Sequence, residues 1–227
     1  MTSQFESMKT ENEIWNEYWT GDDDLSWWKC AAPDVEDFIA SQQPRERPNV
    51  LDLGCGLGRH AIALAQAGFN VTAADSSEEA VSRLANWAQE LSLNIRVLVC
   101  DVLSDQLAKN SFDIILSYNV IYHGFRYQFA AAVDHVHGLL KTNGLFYFTC
   151  PTRADGKYGY GTQLAPHTYQ CEKSMIPGDI HYFANCEDLD ELLAAFSMIE
   201  KRKNEGYWDN KGTRQFFSNW HCLAQKV

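Results

Sequence analysis

The amino-acid sequence predicts an α/β fold with a doubly wound, mostly parallel sheet of seven strands and an antiparallel last strand. From residue 49 onward, short aliphatic or β-branched runs alternate with amphipathic helical segments, which is the pattern of βαβ units. A turn with three glycines, residues 54–58, joins the first run to the helix that follows it. The chain has 227 residues, which fits one such domain with a sizeable core.

The predicted strands are short apolar runs bounded by turn residues. They cover residues 50–53, 70–74, 95–100, 112–117, 145–149, 198–203 and 215–224. The third run is almost continuously apolar, which predicts a buried parallel strand. Only a loop separates the last two runs, so we expect them to pair antiparallel at the edge of the sheet.

The predicted helices lie between these strands and carry recognisable end signals. They cover residues 59–67, about 77–91, about 127–140 and about 187–196. Gly68 ends the first helix because glycine readily adopts the left-handed conformation. Ser76 and Glu79 predict a capping box for the second helix. A turn over residues 141–144 is expected before the fifth strand.

The N-terminal part, residues 1–48, is predicted to form a helical lid on the domain formed by residues 49–227. A second helix in this part is predicted over residues 34–41, after Pro33. The aromatic residues expected in the lid are Trp15, Tyr18, Trp19 and Trp27. The first three share one helix face by their spacing, and they either cover a bound cation or simply pack on the sheet.

Residues 152–183 interrupt the alternation of strands and helices. They contain several glycines and prolines among Tyr, His and Thr, with little periodicity. An irregular stretch of this length in a compact domain is usually functional or mobile. We therefore expect a substrate insert here.

Composition excludes several classes of protein. The net charge of −11, without a long basic run, disfavours a nucleic-acid partner. The seven cysteines are scattered and form no Cys-x-x-Cys pair, which predicts reduced thiols and, with no His/Cys clustering, no metal site. The sequence contains no apolar run long enough for a signal peptide or a membrane span, so we expect a cytoplasmic protein.

The segment from Asp52 to Gly58 carries the strongest chemical signal. Its glycines allow a tight turn and close approach of a ligand to the backbone. A dinucleotide site requires the spacing G-x-G-x-x-G, whereas this segment reads D-x-G-x-G-x-G. A carboxylate beside the turn repels a pyrophosphate and attracts an ammonium or sulfonium group. S-adenosylmethionine carries both of these cations.

Three acidic residues end or follow successive strands, namely Asp52, Asp75 and Asp101. The carboxyl ends of parallel strands meet at one edge of a sheet, where open α/β sheets bind ligands. For each aspartate taken alone, capping of the next helix is the favoured explanation. Together with the glycine turn, the three predict a ligand cleft.

The segment from Asp52 to Gly58 resembles motif I of the class I S-adenosylmethionine-dependent methyltransferases, which have a Rossmann-like fold. The resemblance extends from about Val50 to Ala224. It implies that Asp75 holds the ribose hydroxyls, that Asp101 takes the adenine amino group, and that Val102 offers its N–H to the ring. The predicted cofactor-binding residues are Asp52, Gly54, Cys55, Gly56, Gly58, Asp75, Ser76, Asp101, Val102, Tyr118, Asn119 and Trp19.

The insert is similar to that of the tellurite-resistance and thiopurine methyltransferases, on the evidence of residues 159–169, 176–177 and 181–183. This resemblance implies a small-molecule acceptor. The motifs of DNA amino-methylating, cytosine C5 and arginine methyltransferases are missing from the sequence, and Cys150-Pro151 reverses the order that a cytosine C5 enzyme needs.

His123 is the first candidate for a catalytic residue, because it lies just past the fourth predicted strand, where the cleft opens over the methyl group. A capping or packing role for it stays open. His167 and His181, in the insert, are the next candidates. Two other functions also stay open, a nicotinamide-dependent oxidoreductase and a catalytically silent S-adenosylmethionine-binding domain. The acceptor and the oligomeric state are not predicted.

Overall fold

A computed structural model of the chain describes residues 11–20, 26–42, 47–174, 176, 178–210 and 213–227. Much of the predicted N-terminal lid, residues 1–48, is therefore included. The parts of the lid prediction that fall on residues 1–10, 21–25 and 43–46, and on the side chain of Trp27, lie outside the described residues.

Helices and strands alternate as the sequence predicts from residue 49 onward. The helices are α1 Glu11–Thr20, α2 Pro33–Gln42, α3 Arg59–Gln66, α4 Glu78–Glu90, α5 Arg126–Leu139 and α6 Cys186–Leu192, with a 3₁₀ helix over Ser26–Lys29. The strands are β1 Asn49–Leu53, β2 Asn70–Asp75, β3 Ile95–Val99, β4 Phe112–Ser117, β5 Leu140–Pro151, β6 Gly161–Ala165, β7 Thr168–Cys171, β8 Ile180–Tyr182, β9 Phe196–Asn210 and β10 Thr213–Lys226.

The main sheet has seven strands in the order β3-β2-β1-β4-β5-β10-β9. The strands β1 to β5 run parallel to one another, whereas β10 pairs antiparallel with both β5 and β9. The predicted mostly parallel seven-stranded sheet with an antiparallel last strand is therefore confirmed. The last two strands pair as expected, with β9 at the edge and β10 inside the sheet.

Both faces of the sheet are covered, as a doubly wound fold requires. Side chains alternate along β1, so Val50 packs in the cluster with α2, α3 and α4, whereas Leu51 packs in the cluster with α5 and α6. Leu84 of α4 and Phe129 of α5 are fully buried. Burying a side chain of this kind contributes roughly 1.5–3 kcal/mol.

Two local predictions were wrong. The strand β3 is not buried on both faces, since it forms an edge of the sheet and Val99 is exposed. The N-cap of α4 is Ser77 and not Ser76, because the Ser77 hydroxyl accepts the N–H of Ala80. Because Ser76 and Ser77 are adjacent, the sequence alone does not show which of them caps the helix.

Two irregular segments are more ordered than the sequence indicates. Residues 141–144, predicted as a turn, belong to β5, where the pairing with β4 shifts register and Asn143 has a φ of 63°. The insert, predicted to be irregular, contains a three-stranded antiparallel sheet of β6, β7 and β8. Its strands are only three to five residues long, too short to show a clear alternation.

The insert is fastened to the loop that follows β4. The N–H of Gly124 donates to Ile180 and the N–H of Tyr182 donates to the carbonyl of Tyr122, at 2.7 and 3.0 Å. Residues 179–181 therefore lie beside His123 at the carboxyl edge of the main sheet. No helix among the described residues is long and apolar enough to span a lipid bilayer.

Candidate active site

The glycine turn between β1 and α3 needs glycine for both its conformation and its surroundings. Gly54, Gly56 and Gly58 all have positive φ values, 74°, 51° and 85°. A Cβ on Gly54 would lie 2.4 Å from the methyl groups of Val120, and one on Gly58 would lie 2.1 Å from Leu84. The turn is therefore held close to its neighbours on both sides.

A cleft of about 210 Å³ opens beside this turn at the carboxyl edge of the sheet. The predicted cofactor-binding residues that line it are Trp19, Gly54, Cys55, Gly56, Asp75, Ser76, Asp101, Val102, Tyr118 and Asn119. Asp52 and Gly58 lie outside the cleft lining. The structure thus brings most of the predicted donor-binding residues to one place.

Asp75 connects the end of β2 to the glycine turn. Its Oδ2 accepts the N–H of Gly56 at 2.8 Å, and its Oδ1 accepts the N–H of Ser77 at 2.9 Å. Burial raises the pKa of this carboxyl group. A carboxylate has about four acceptor positions, so these two bonds leave capacity for hydroxyl groups of a ligand.

Asp101 lies two residues after the end of β3 and lines the cleft together with Asp75. It is exposed, and its Oδ1 accepts the N–H of Leu103 at 2.8 Å. The adjacent Val102 is partly buried and also lines the cleft. An exposed carboxylate next to an apolar wall suits the polar edge of a planar ring that is buried only on its faces.

Asp52 does not face the cleft. It shares a face of β1 with Val50 and is only 1% exposed, and its Oδ2 has no hydrogen-bond partner among the described residues. Burial raises the pKa of this carboxyl group to about 7. The Asp52 carboxylate is therefore buried outside the cleft lining.

Aromatic rings from the N-terminal segment form a wall of the cleft. Trp19 is 3% exposed and packs against Gly56, where an added Cβ would lie 3.0 Å from its ring. The ring of Trp15 meets the ring of His123 edge to face, with 5.1 Å between centroids. The helix α1 is tied to α4 by the Asn16 side chain, which accepts from the hydroxyl of Ser77 at 2.9 Å.

The loop after β4 supplies the opposite end of the cleft. Asn119 has a φ of 60°, which is uncommon for a residue other than glycine. Thr149 holds it, since the Thr149 hydroxyl accepts the Asn119 N–H at 2.8 Å and donates to its Oδ1 at 2.9 Å. In this conformation the Asn119 carbonyl oxygen lies 3.1 Å from Nε2 of His123.

His123 lines the cleft and belongs to a hydrogen-bonded triad with Asp179 and His181. The Asp179 carboxylate lies 3.0 Å from Nδ1 of His123 and 2.6 Å from Nε2 of His181. The three side chains are 8%, 6% and 2% exposed. Burial alone would raise the pKa of Asp179, but the two imidazoles hold it well below its usual range, so the group is a carboxylate.

His181 and His167 do not line the cleft. Burial lowers the pKa of His181 to about 4, so its ring is neutral at neutral pH. His167 contacts Tyr158 instead, whose hydroxyl lies 2.8 Å from its Nδ1. Of the three candidate catalytic histidines, only His123 reaches the cleft, and His181 lies behind it.

The triad also brings three side chains within reach of one metal ion, since its ligand atoms lie within 4.8 Å of one another. The Asp179 carboxylate lies within hydrogen-bonding distance of one nitrogen of each imidazole. We therefore interpret the group as a hydrogen-bonded triad. The sequence did not indicate it because Asp179 lies 56 residues from His123.

Arg59 and Trp28 are further cleft residues that the sequence analysis missed. Arg59 begins α3, and its guanidinium lies 4.8 Å from the Trp28 ring centroid and 5.5 Å from that of Tyr118. Burial lowers the pKa of Arg59. The position of Arg59 directly after the glycine turn is the signal that could have identified it.

Comparison with known proteins identifies a methyltransferase domain in this chain. A family model described as "Methyltransferase domain" matches residues 50–144, which include the glycine turn, Asp75, Asp101 and β4. The ubiquinone biosynthesis O-methyltransferase of Rickettsia felis is 26% identical over 204 residues, covering 85% of this chain and 80% of the relative. The predicted S-adenosylmethionine-dependent methyltransferase activity is therefore confirmed, with the family match confined to residues 50–144. This assignment removes the nicotinamide-dependent alternative.

Solved methyltransferase structures share the fold. TehB from Haemophilus influenzae is 23% identical with a TM-score of 0.66, covering 87% of this chain and 63% of that one. The 1,6-didemethyltoxoflavin-N1-methyltransferase of Burkholderia thailandensis is 19% identical with a TM-score of 0.71, covering 95% of this methyltransferase and 87% of that chain. The expected Rossmann-like fold is confirmed, and S-adenosylmethionine is the methyl donor.

Proposed function

We propose that this methyltransferase transfers the methyl group of S-adenosylmethionine to a small-molecule acceptor bound at the His123 end of its cleft. One observation carries the proposal. The cleft beside the glycine turn is continuous from Asp75 and Asp101 to His123, so a donor and a small acceptor fit end to end. The helix α1, part of the proposed lid of residues 1–48, closes it from above.

The donor is expected to lie along the carboxyl ends of β1, β2 and β3. Asp75 accepts both ribose hydroxyls, and charged acceptors of this kind form strong hydrogen bonds. Asp101 accepts from the adenine amino group while Val102 offers its N–H to the ring. Ser76 lies beside the ribose position. These assignments are supported by the lining of the cleft and by the two acceptor positions that Asp75 keeps available.

The amino-acid end of the donor is expected against the glycine turn. Gly54, Cys55 and Gly56 present backbone without a side chain in the way, and Gly58 starts α3 without a side-chain cap. Arg59 supplies a cation for the donor carboxylate, which is the negative group of S-adenosylmethionine. Asp52 is buried outside the cleft lining and supports the turn through packing.

Methyl transfer needs alignment more than activation, because the sulfonium is already a reactive donor. An in-line displacement requires the acceptor atom, the methyl carbon and the sulfur to lie on one line. Positioning of this kind contributes roughly 7–11 kcal/mol to lowering a barrier. Trp15 and Trp19 exclude water, and Tyr118 with Asn119 fixes the floor of the cleft.

A small acceptor is supported by charge and by the relatives. A net charge of −11 opposes binding of a polyanion, and α1 covers the cleft against a large substrate. The names of two similar proteins refer to ubiquinone biosynthesis and to didemethyltoxoflavin, both of which concern small molecules. We expect the insert of residues 152–183 to contact the acceptor, because it carries the triad partners of His123.

Two measurements test this function. Calorimetry should show that S-adenosylhomocysteine binds in the micromolar range whereas NADH does not bind. Labelled methyl groups should then be transferred to members of a panel of small thiols, phenols, carboxylic acids and amines. Donor binding without transfer to any of them would favour a silent binding domain, and absence of donor binding would contradict the proposed use of the cleft.

A further inference from the structure

We propose that His123 is an imidazolium, paired with Asp179 and backed by His181, and that the acceptor is methylated at an anionic oxygen or sulfur. Carboxylates, phenolates and thiolates are the acceptors of this class. The inference rests on the proposed function, since it assumes that the acceptor occupies the His123 end of the cleft.

The hydrogen-bond partners of His123 determine how many protons its ring carries. Its Nδ1 faces the Asp179 carboxylate at 3.0 Å, and its Nε2 faces the carbonyl oxygen of Asn119 at 3.1 Å. Both partners are acceptors, and a neutral imidazole has only one N–H. Two good hydrogen bonds are made only when both ring nitrogens carry protons, which gives the ring a positive charge.

The surroundings stabilise this charge. A buried ion costs several kcal/mol unless it is paired and hydrogen-bonded, and the Asp179 carboxylate meets both conditions. His181 donates to the same carboxylate through Nε2, at 2.6 Å, and stays neutral. The ionisable side chains in contact with the His123 ring include Asp179, His181 and the stacked Tyr122, while α1 contributes the uncharged ring of Trp15.

Charges in the cleft are sorted along the sheet. The carboxylates of Asp75 and Asp101 follow β2 and β3, whereas the cations of Arg59 and His123 follow β1 and β4. Arg59 lies at the glycine turn, where the amino-acid end of the donor is expected. Of the His123–Asp179 pair, His123 lines the cleft and Asp179 does not, so the positive end of the pair faces the acceptor and favours an anion over a cationic amine.

The reaction balances without a base. The acceptor anion forms a bond to the methyl carbon, the carbon–sulfur bond breaks, and its electron pair stays on sulfur as a neutral thioether. The negative charge of the acceptor and the positive charge of the sulfonium cancel, so no proton has to leave. An imidazolium also lowers the pKa of a nearby phenol or thiol and increases its anionic fraction. The neutral product no longer attracts His123, which favours its release.

Nuclear magnetic resonance of protein labelled with ¹⁵N in histidine tests the charge directly. At neutral pH, both ring nitrogens of His123, assigned by comparison with His123→Gln, should have the shifts of protonated nitrogens. In Asp179→Asn the ring should become neutral. A bare nitrogen on His123 in the wild-type protein would overturn the proposal, and so would a spectrum that changes with a chelator, because a metal would then replace the proton.

Binding of matched aromatic probes tests the consequence for the acceptor. Benzoate should bind the complex with S-adenosylhomocysteine about tenfold more tightly than benzamide, because hydrogen bonds and ion pairs to a charged ligand are the stronger ones. His123→Gln should remove this preference, and His167→Gln, a histidine outside the cleft, should keep it. Equal binding of the two probes to the wild-type protein, or a preference that survives in His123→Gln, would contradict the proposal.

The two tests also separate this inference from the proposed function. The protonation of His123 is measured without any ligand, whereas the proposed function depends on donor binding and methyl transfer. A charged His123 in a protein that does not bind S-adenosylhomocysteine would overturn the proposed function and the acceptor class, and would leave the charge of His123 standing. A neutral His123 in an active enzyme would overturn only the inference.

Discussion

Donor binding should depend strongly on Asp75. Replacing this carboxylate in Asp75→Ala removes the expected ribose hydrogen bonds and the acceptor that holds the N–H of Gly56. Hydrogen bonds to a charged group contribute about 1.5–3 kcal/mol, so the affinity for S-adenosylhomocysteine should fall by roughly 10- to 150-fold. Calorimetry measures this loss, with circular dichroism to verify folding. Asp134→Ala, an exposed aspartate of α5, is the matched control and should bind normally.

At the scale of single residues, sequence reasoning located Asp75, Asp101 and His123 because each follows a strand that could be recognised from its apolar run. It did not indicate that Asp52 faces inward. The orientation of Asp52 depends on which face of β1 is covered by α3. The glycine turn after β1 is compatible with either face, so the sequence does not distinguish them. Asp179 was missed for a different reason, since short strands of the insert carry it to His123 and such strands have no clear periodicity.

At the scale of elements, the junction of the glycine turn with α4 should be intolerant of a methyl group. Gly58→Ala forces a left-handed backbone on alanine and places its Cβ 2.1 Å from the fully buried Leu84. Gly68→Ala has the same backbone strain, with a φ of 92°, but its Cβ meets no described atom within 4 Å. The strain costs about 1–2 kcal/mol in both variants. Overpacking adds about 1–3 kcal/mol in Gly58→Ala alone.

Urea-induced unfolding of the two variants separates strain from overpacking. Gly58→Ala should lose clearly more free energy of unfolding than Gly68→Ala. Equal losses would mean that Leu84 moves aside at no cost, and the close packing of the turn against α4 would then not be a reason for glycine at this position.

The contact of α2 with the sheet should be sensitive to acid. Burial alone would raise the pKa of Asp34, but hydrogen bonds from His221 and Tyr147 lower it to about 2. A lowered pKa means that the carboxylate stabilises the folded state above the unfolded pKa of about 3.9, and that this contribution disappears as the pH falls through about 2. From the size of the shift, the contribution at neutral pH is about 2 kcal/mol.

The variant Asp34→Asn tests this contribution. Its free energy of unfolding should lie below that of the wild-type protein at neutral pH, and the gap should narrow between about pH 4 and pH 2. Asp37→Asn, on an exposed position of the same helix, should show no such gap. A gap that stays constant with pH would show that Asp34 contributes through packing and not through its charge.

At the scale of the whole molecule, the sequence predicted the parallel direction of the main strands because each βαβ unit has one favoured arrangement. It predicted the position of the cleft for the same reason, since the carboxyl ends of parallel strands lie at one edge. A helical lid and a substrate insert were predicted as segments, but the contacts that place α1 on the cleft and the insert beside His123 could not be deduced. Both depend on contacts between distant segments, such as Asn16 with Ser77 and Gly124 with Ile180.

Donor binding and the position of α1 should be coupled across the molecule, because Trp15 and Trp19 of this helix line the donor cleft. S-adenosylhomocysteine at 100 times its dissociation constant stabilises the folded state by about 2.7 kcal/mol, which for a chain of this size raises the melting temperature by roughly 5–10 °C.

Hydrogen exchange of Glu11–Thr20 should slow when the ligand binds, since the helix then packs on the donor as well as on α4. In Trp19→Ala, most of the added protection should disappear, whereas exchange in β10 should be the same in both proteins. Stabilisation by the ligand with unchanged exchange in α1 would contradict the proposed lid and leave the helix as a fixed wall of the cleft.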